Sequence, residues 1–161
     1  MNHFELFDIP ASPVVQKKII TEKYHLIQRQ THPDFHTQAT EDEKEAALNR
    51  SSQANEAYAI FSNSQRTLEY YLWEMGEIKE GESYALPSAF LMEMMELNEE
   101  LESLDNIESR KKITTIIEQI SGGVADWLEG RKVPDKQGLE MMKEYYYKKK
   151  YIDRILERLG D

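Results

Sequence analysis

The chain has 161 residues, which is room for one domain or two small ones, and its 40% apolar and 31% charged residues are the balance of a globular protein with a core. It holds no Cys, which excludes disulfides, thiolate metal sites and cysteine nucleophiles. A formal net charge of −10 argues against general nucleic-acid binding and against anionic membranes, and favours a basic patch on a protein partner.

The lack of Cys fits a reducing cytoplasm. No apolar run approaches the ~20 residues that cross a bilayer. Met1 to Pro10 carries Glu5 and Asp8 and lacks the basic-then-apolar order of a secretory signal. The expected class is all-α, because no useful length alternates as a strand does.

In chain order, Phe4, Phe7 and Ile9 form a short apolar cluster of one or two helical turns, stopped by Pro10. Ser12 before Pro13 has the N-cap and N1 pattern, so a helix is expected from there. Ile20, Tyr24 and Ile27 give it one apolar stripe, and it should end before His32-Pro33. After a polar loop, Thr40 with Glu43 reads as a capping box. The helix it opens places Ala47, Ala54, Tyr58 and Phe61 on one face. Asn63-Ser64 breaks that helix, and a short one runs from Gln65 to about Met75.

Residues 76–87 hold two Gly and a Pro and break the periodicity, so they read as a linker between domains at 1–75 and 88–161. Three longer helices follow. The first, with Ser88 as its expected cap, repeats Phe90, Met94, Leu97, Leu101 and Leu104 as a bundle seam does. The second runs from about Asn106 to Glu129, weakened at Gly122-Gly123. The third runs from about Gln137 to Leu159, with Met142, Tyr145, Ile152, Leu156 and Leu159 as its inner face.

The sharpest local feature is His32-Pro33-Asp34 between two amphipathic helices. Pro33 fixes the backbone of a tight loop, Asp34 offers a charge-assisted acceptor for an Arg, and His32 is expected to donate locally. The alternation of His32, Asp34 and His36 also admits a metal or hydrolytic site, but no further ligand cluster accompanies it. With Asn55-Glu56-Ala57-Tyr58, Phe61, Asn63-Ser64-Gln65-Arg66 and Tyr70 downstream, the N-terminal half resembles a J-domain. The resemblance implies that His32, Pro33 and Asp34 contact an Hsp70-type chaperone and promote its ATP hydrolysis. Lys18, His25 and Arg29 share the outer stripe of the preceding helix, and the resemblance gives Lys18 and Arg29 to the same contact. Glu22 interrupts that stripe.

Ala89-Phe90-Leu91-Met92-Glu93 and Glu96-Leu97-Asn98-Glu99-Glu100-Leu101 form a second motif. Leu91, Met92 and Met95 lie off the seam yet are apolar, and Glu96 and Glu99 sit beside them. The pattern fits either helix packing or an exposed patch for a partner. From Glu93 to Glu108 there are seven acidic residues and no Lys or Arg, a face suited to a basic partner. With the opening Asn2 to Pro10 and Gln28-Arg29-Gln30-Thr31, the whole length resembles the Hsc20 (HscB) family of J-type co-chaperones of iron–sulfur cluster assembly.

That resemblance implies a J-domain helical hairpin plus a C-terminal three-helix bundle, arranged in an L. It implies two partners, an Hsp70 of HscA or DnaK type and an IscU-like iron–sulfur scaffold protein. The scaffold-binding candidates it carries over are Leu91, Met92, Met95, Glu96, Glu99 and Tyr151. It implies no enzyme activity, no cofactor and no metal, in a bacterial cytoplasm or a mitochondrial matrix. Members with an N-terminal Cys-based zinc module differ from this Cys-free chain, which looks like the simpler bacterial form. The chain also departs from the pattern: Phe35 stands where many J-domains have Lys or Arg, Thr31 replaces a common aromatic, Thr67 stands where Arg is usual, and Ser103 where an acid is common. A J-protein with a different client shares the His32–Asp34 expectation but not that for Leu91–Glu99.

Overall fold

The computed structural model describes residues 1–160, and among them every regular element is a helix. The described chain divides into two compact units, Met1–Tyr71 and the segment from Leu72 onward.

In the first unit, α1 (His3–Leu6) opens with a reciprocal capping box. Asn2 Oδ1 accepts the Glu5 N–H at 2.8 Å, and Glu5 Oε2 accepts the Asn2 N–H at 3.2 Å. Those bonds hold a four-residue helix that propensity alone would not. α2 spans Lys17–Thr31 and α3 spans Glu41–Phe61. The expected start of α2 at Ser12-Pro13 is not what forms. Ser12 Oγ accepts the Val14 N–H at 3.2 Å in a local turn, and the β-branched pair Val14-Val15 stays outside the helix. α3 begins at Thr40 as read, with the Glu43 N–H on Thr40 Oγ1 at 3.2 Å, which is one half of the expected capping box.

α2 and α3 form a hairpin whose apolar contact is Ile20 and Ile27 on one side and Ala54, Ala57 and Phe61 on the other, all buried. Ala57 rather than Ala47 completes the small-residue stripe, and Ala47 is only half-buried. A polar ladder runs along the hairpin. Ser51 Oγ donates to Gln28 Oε1 at 2.8 Å, Gln28 Nε2 donates to Asn55 Oδ1 at 3.0 Å, and the Tyr24 hydroxyl donates to the same oxygen at 2.7 Å. The Tyr24 and Tyr58 rings stack at 4.3 Å. Because these bonds are directional, they fix the register of the two helices and hence the loop that joins them. α4 (Ser64–Glu74) starts on Asn63, whose Oδ1 accepts the Arg66 N–H at 2.9 Å. It closes the unit through Phe4, Phe61, Tyr70 and Tyr71, an aromatic cluster with centroids 5.2–6.4 Å apart.

The second unit is built on α5 (Ser88–Leu101), α6 (Asn106–Ser121) and α8 (Lys136–Gly160). Gly122–Val124 tightens into a 3₁₀ turn and α7 (Ala125–Leu128) follows, so the long second helix of the sequence reading is broken where the two glycines stand. The core is Phe90, Met94 and Leu97 of α5, Ile113 of α6, and Ile152 and Ile155 of α8. Met142 and Ile152 are fully buried on α8 as read, and Tyr146 and Ile155 are buried where the expected Tyr145 and Leu156 are only half-buried.

Residues 76–87 have no regular structure but are tied to α8. Lys143 Nζ donates to Glu82 Oε1 at 2.6 Å, the Tyr147 hydroxyl donates to Glu82 Oε2 at 3.3 Å, and the Tyr84 ring stacks on Tyr147 at 4.5 Å. The Lys143 ammonium beside it holds the Glu82 carboxyl below the ordinary glutamate range, helped by the Lys79 N–H. Composition alone reads this stretch as a linker, since its anchors are partners some 60 residues away.

Candidate functional site

Two surfaces carry the residues singled out by sequence, one on each unit. On the first, α2 ends at Thr31, whose hydroxyl turns back onto the Ile27 carbonyl at 2.9 Å. Pro33–Phe35 then forms one 3₁₀ turn, with the Phe35 N–H on the His32 carbonyl at 3.0 Å and the His36 N–H on the Pro33 carbonyl at 3.0 Å. His32, Pro33 and Asp34 are all exposed, and the Asp34 carboxylate is 86% open to solvent. His32 does not donate as expected. Its Nδ1 accepts the Asp34 N–H at 3.2 Å, which caps the turn, and one oxygen of the largely exposed Asp34 carboxylate lies 3.6 Å from the same nitrogen.

Lys18, Glu22, His25 and Arg29 are exposed on α2. At about 100° per residue they fall within roughly 60° of arc, opposite Ile20 and Ile27. The basic stripe and the His-Pro-Asp turn are therefore contiguous along one helix and its end. Sequence reading missed the groove beside them, an open hollow of about 700 Å³ whose lining includes Pro33, Thr37, Ala47 and Leu48. Leu48, left off the inner face by periodicity, was the available signal.

On the second unit, Phe90, Met94 and Leu97 turn into the core, while Leu91, Met92 and Met95 are exposed, as are Glu96 and Glu99. Met92 and Met95 are 63% and 64% accessible. Met92 precedes Glu96, and Met95 precedes Glu99, by four residues each, so two thioethers each stand beside a carboxylate on one face. Tyr151 of α8 lies edge-on to Phe90 with centroids 6.0 Å apart, which brings it against the residue next to Leu91. The acidic run is less uniform than its sequence. Glu100 pairs with Lys112 of α6, and Asp105 caps α6 by accepting the Glu108 N–H at 2.8 Å.

A helical hairpin closed by an exposed His-Pro-Asp turn, followed by a separate helical bundle, defines a J-domain protein with a C-terminal helical domain. Residues 86–160 match the family model described as the HSCB C-terminal oligomerisation domain. Over 105 residues the chain is 38% identical to the co-chaperone protein HscB homolog of Vibrio atlanticus, covering 65% of this chain and 61% of that relative. It is 35% identical, over the same shares, to the homolog of Vibrio parahaemolyticus. The crystal structure of human co-chaperone protein HscB superposes with a TM-score of 0.77 at 27% identity, over 99% of this chain and 81% of that one. Chaperone HscB from Vibrio cholerae shares the fold, with a TM-score of 0.60 at 24% identity over 99% of each chain. The chain is thus similar to HscB co-chaperones, and it spans about 61% of the length of the curated relatives it matches.

Proposed function

We propose that this protein is a non-enzymatic J-type co-chaperone of iron–sulfur cluster assembly, acting in a reducing compartment. It binds an iron–sulfur scaffold protein through α5 and presents it to an ATP-bound Hsp70 through the His32-Pro33-Asp34 turn. What supports the reading most is that one chain similar to HscB co-chaperones displays two largely exposed surfaces. One is a solvent-exposed carboxylate on a hydrogen-bonded turn, and the other is a Met-rich patch beside two glutamates.

The chemistry assigned to each follows from its residues. Asp34 offers both carboxylate oxygens to an Arg of the chaperone, a charge-assisted and geometrically selective contact. Lys18 and Arg29 add attraction for an acidic surface. Leu91, Met92 and Met95 give the scaffold an adaptable apolar seat, Tyr151 supplies an aromatic edge, and Glu96 and Glu99 pair with basic groups around it. Holding client and chaperone in one complex raises the client's local concentration at the Hsp70. Hydrolysis then traps the client, and the cluster is cargo rather than a group resident in this chain.

The deciding experiment is steady-state ATPase turnover of the organism's own Hsp70, with this protein and the purified scaffold added separately and together. Stimulation is expected with this protein, and more with both. Asp34→Asn should remove the stimulation and leave scaffold binding unchanged. Stimulation without scaffold binding would assign the chain a different client, and flat turnover in every arm would refute the proposal.

A further inference from the structure

Two imidazoles bracket the exposed turn, and only one belongs to the His-Pro-Asp tripeptide. In a continuing α-helix the Gln30 carbonyl would accept the Asp34 N–H, four residues on. That N–H is diverted to His32 Nδ1. Pro33 has no N–H to offer the Arg29 carbonyl. The helix thus ends with carbonyls that need donors from outside the ladder. His36 supplies one: its Nε2 lies 2.9 Å from the Gln30 carbonyl oxygen. A carbonyl only accepts, so Nε2 carries the proton. The His36 backbone is pinned as well, its N–H on the Pro33 carbonyl at 3.0 Å and its carbonyl accepting the Ala39 N–H at 3.1 Å. His36 is half-buried, whereas Phe35 beside it is 73% exposed.

We propose that His36 is a positioning residue for the chaperone-facing turn: its Nε2–H bond to the Gln30 carbonyl sets the direction in which Asp34 is presented. The inference rests on the co-chaperone reading above. With that bond, the segment from Gln30 to His36 is closed on itself, and the end of α2 and the turn move as one piece. Without it, residues 33–36 sample orientations in which Asp34 does not face the partner. Apparent affinity then falls with the competent fraction. A single hydrogen bond of ordinary net strength holds that fraction by about fivefold.

The test uses the full chain with His36→Phe, which keeps a ring and loses the donor, and His36→Gln, which keeps a donor of similar reach. His36→Phe should raise the concentration of this protein giving half-maximal Hsp70 stimulation by about fivefold. The maximal stimulated rate and the thermal midpoint should stay as in the wild type. His36→Gln should return to within about twofold of it. Backbone ¹⁵N relaxation at Asp34, measured on the chain alone, should show added motion in His36→Phe and not in His36→Gln. An unchanged half-maximal concentration in His36→Phe, a His36→Gln as poor as His36→Phe, or an Asp34 amide equally ordered in all three overturns the inference. Lost order in His36→Phe beside a wild type that stimulates no Hsp70 overturns the co-chaperone reading instead, since the relaxation arm needs no Hsp70.

Discussion

Replacing Met92 and Met95 together by Ala separates binding from stability. Both side chains are about two-thirds accessible in the free protein, at 63% and 64%. Fully burying a Met side chain is worth roughly 1.5–3 kcal/mol. Each methionine has about two-thirds of that to give to a partner, and Ala keeps the Cβ share. The loss is then about 1 kcal/mol per site and about 2 for the pair, or roughly 30-fold in Kd. Stability should hardly move, because solvent-facing substitutions of this kind stay within about ±0.5 kcal/mol. Met94, between them in sequence, is wholly buried against Phe90, Leu97 and Ile113. Met94→Ala should cost roughly 2–5 kcal/mol of stability through the cavity it leaves. Isothermal titration of purified apo scaffold into each variant, with a thermal melt of each, makes the comparison. A double variant that binds within twofold of the wild type refutes the assignment of this face to the client.

Gly138→Ala should destabilise the C-terminal unit by about 1–3 kcal/mol, read as a lower thermal midpoint, despite the gain in helix propensity. A Cβ there would stand 2.8 Å from the Trp127 ring and 3.1 Å from Pro134 Cβ. Glu82 gives a pH dependence of known sign. Its carboxyl is held below the ordinary range, first by the Lys143 hydrogen bond, so the folded state binds its proton less readily than the unfolded chain. The stability gap between wild type and Glu82→Gln should be full above about pH 5 and close as pH falls past about 4.3 and on through the depressed folded value. Urea unfolding of both proteins across pH 3–7 checks this, and a gap that widens on acidification contradicts it. Raising salt should weaken scaffold binding by the wild type more than by Glu96→Gln, because the patch beside the methionines is anionic and exposed.

The fold was largely legible because its signals are local. Apolar residues at steps of three and four marked α2, α5, α6 and α8, Thr40 stands at a real helix start, and Asn63, read as part of a break, caps α4. The failures share a cause, which is reliance on sequence neighbours where the decisive partner is distant or competing. Ser12-Pro13 had cap chemistry, but two β-branched residues follow and the helix waits for Lys17. Residues 76–87 looked loose because Lys143 and Tyr147, which hold Glu82 and Tyr84, lie on α8. At the candidate site the tripeptide was visible but its internal bonding was not. Whether His32 donates or accepts depends on where the Asp34 N–H points, and no spacing rule encodes that.

The balance of charge on the first unit has a consequence for how a chaperone would be met. The protein carries a net charge of −10, so at long range an acidic Hsp70 surface is repelled. Beside the turn, the cations on the outer stripe of α2 are Lys18 and Arg29, and Glu22 sits among them. The position after Asp34, where the resemblance leads one to expect a cation, is Phe35, 73% exposed. Beyond a Debye length of about 8 Å at physiological ionic strength the net repulsion is screened, and the local stripe acts alone. Association should therefore owe less to steering than in a J-domain with an unbroken basic helix, and more to contacts made after encounter: the Asp34 carboxylate, the Phe35 ring, and the hollow floored by Ala47 and Leu48. Stopped-flow association with the Hsp70 should accordingly change little between low and physiological salt, while Phe35→Lys should make the on-rate fall as salt rises. A wild-type on-rate that drops steeply with salt would show that the basic residues of the stripe outweigh the rest, and the weight placed on the turn and its apolar neighbours would be wrong.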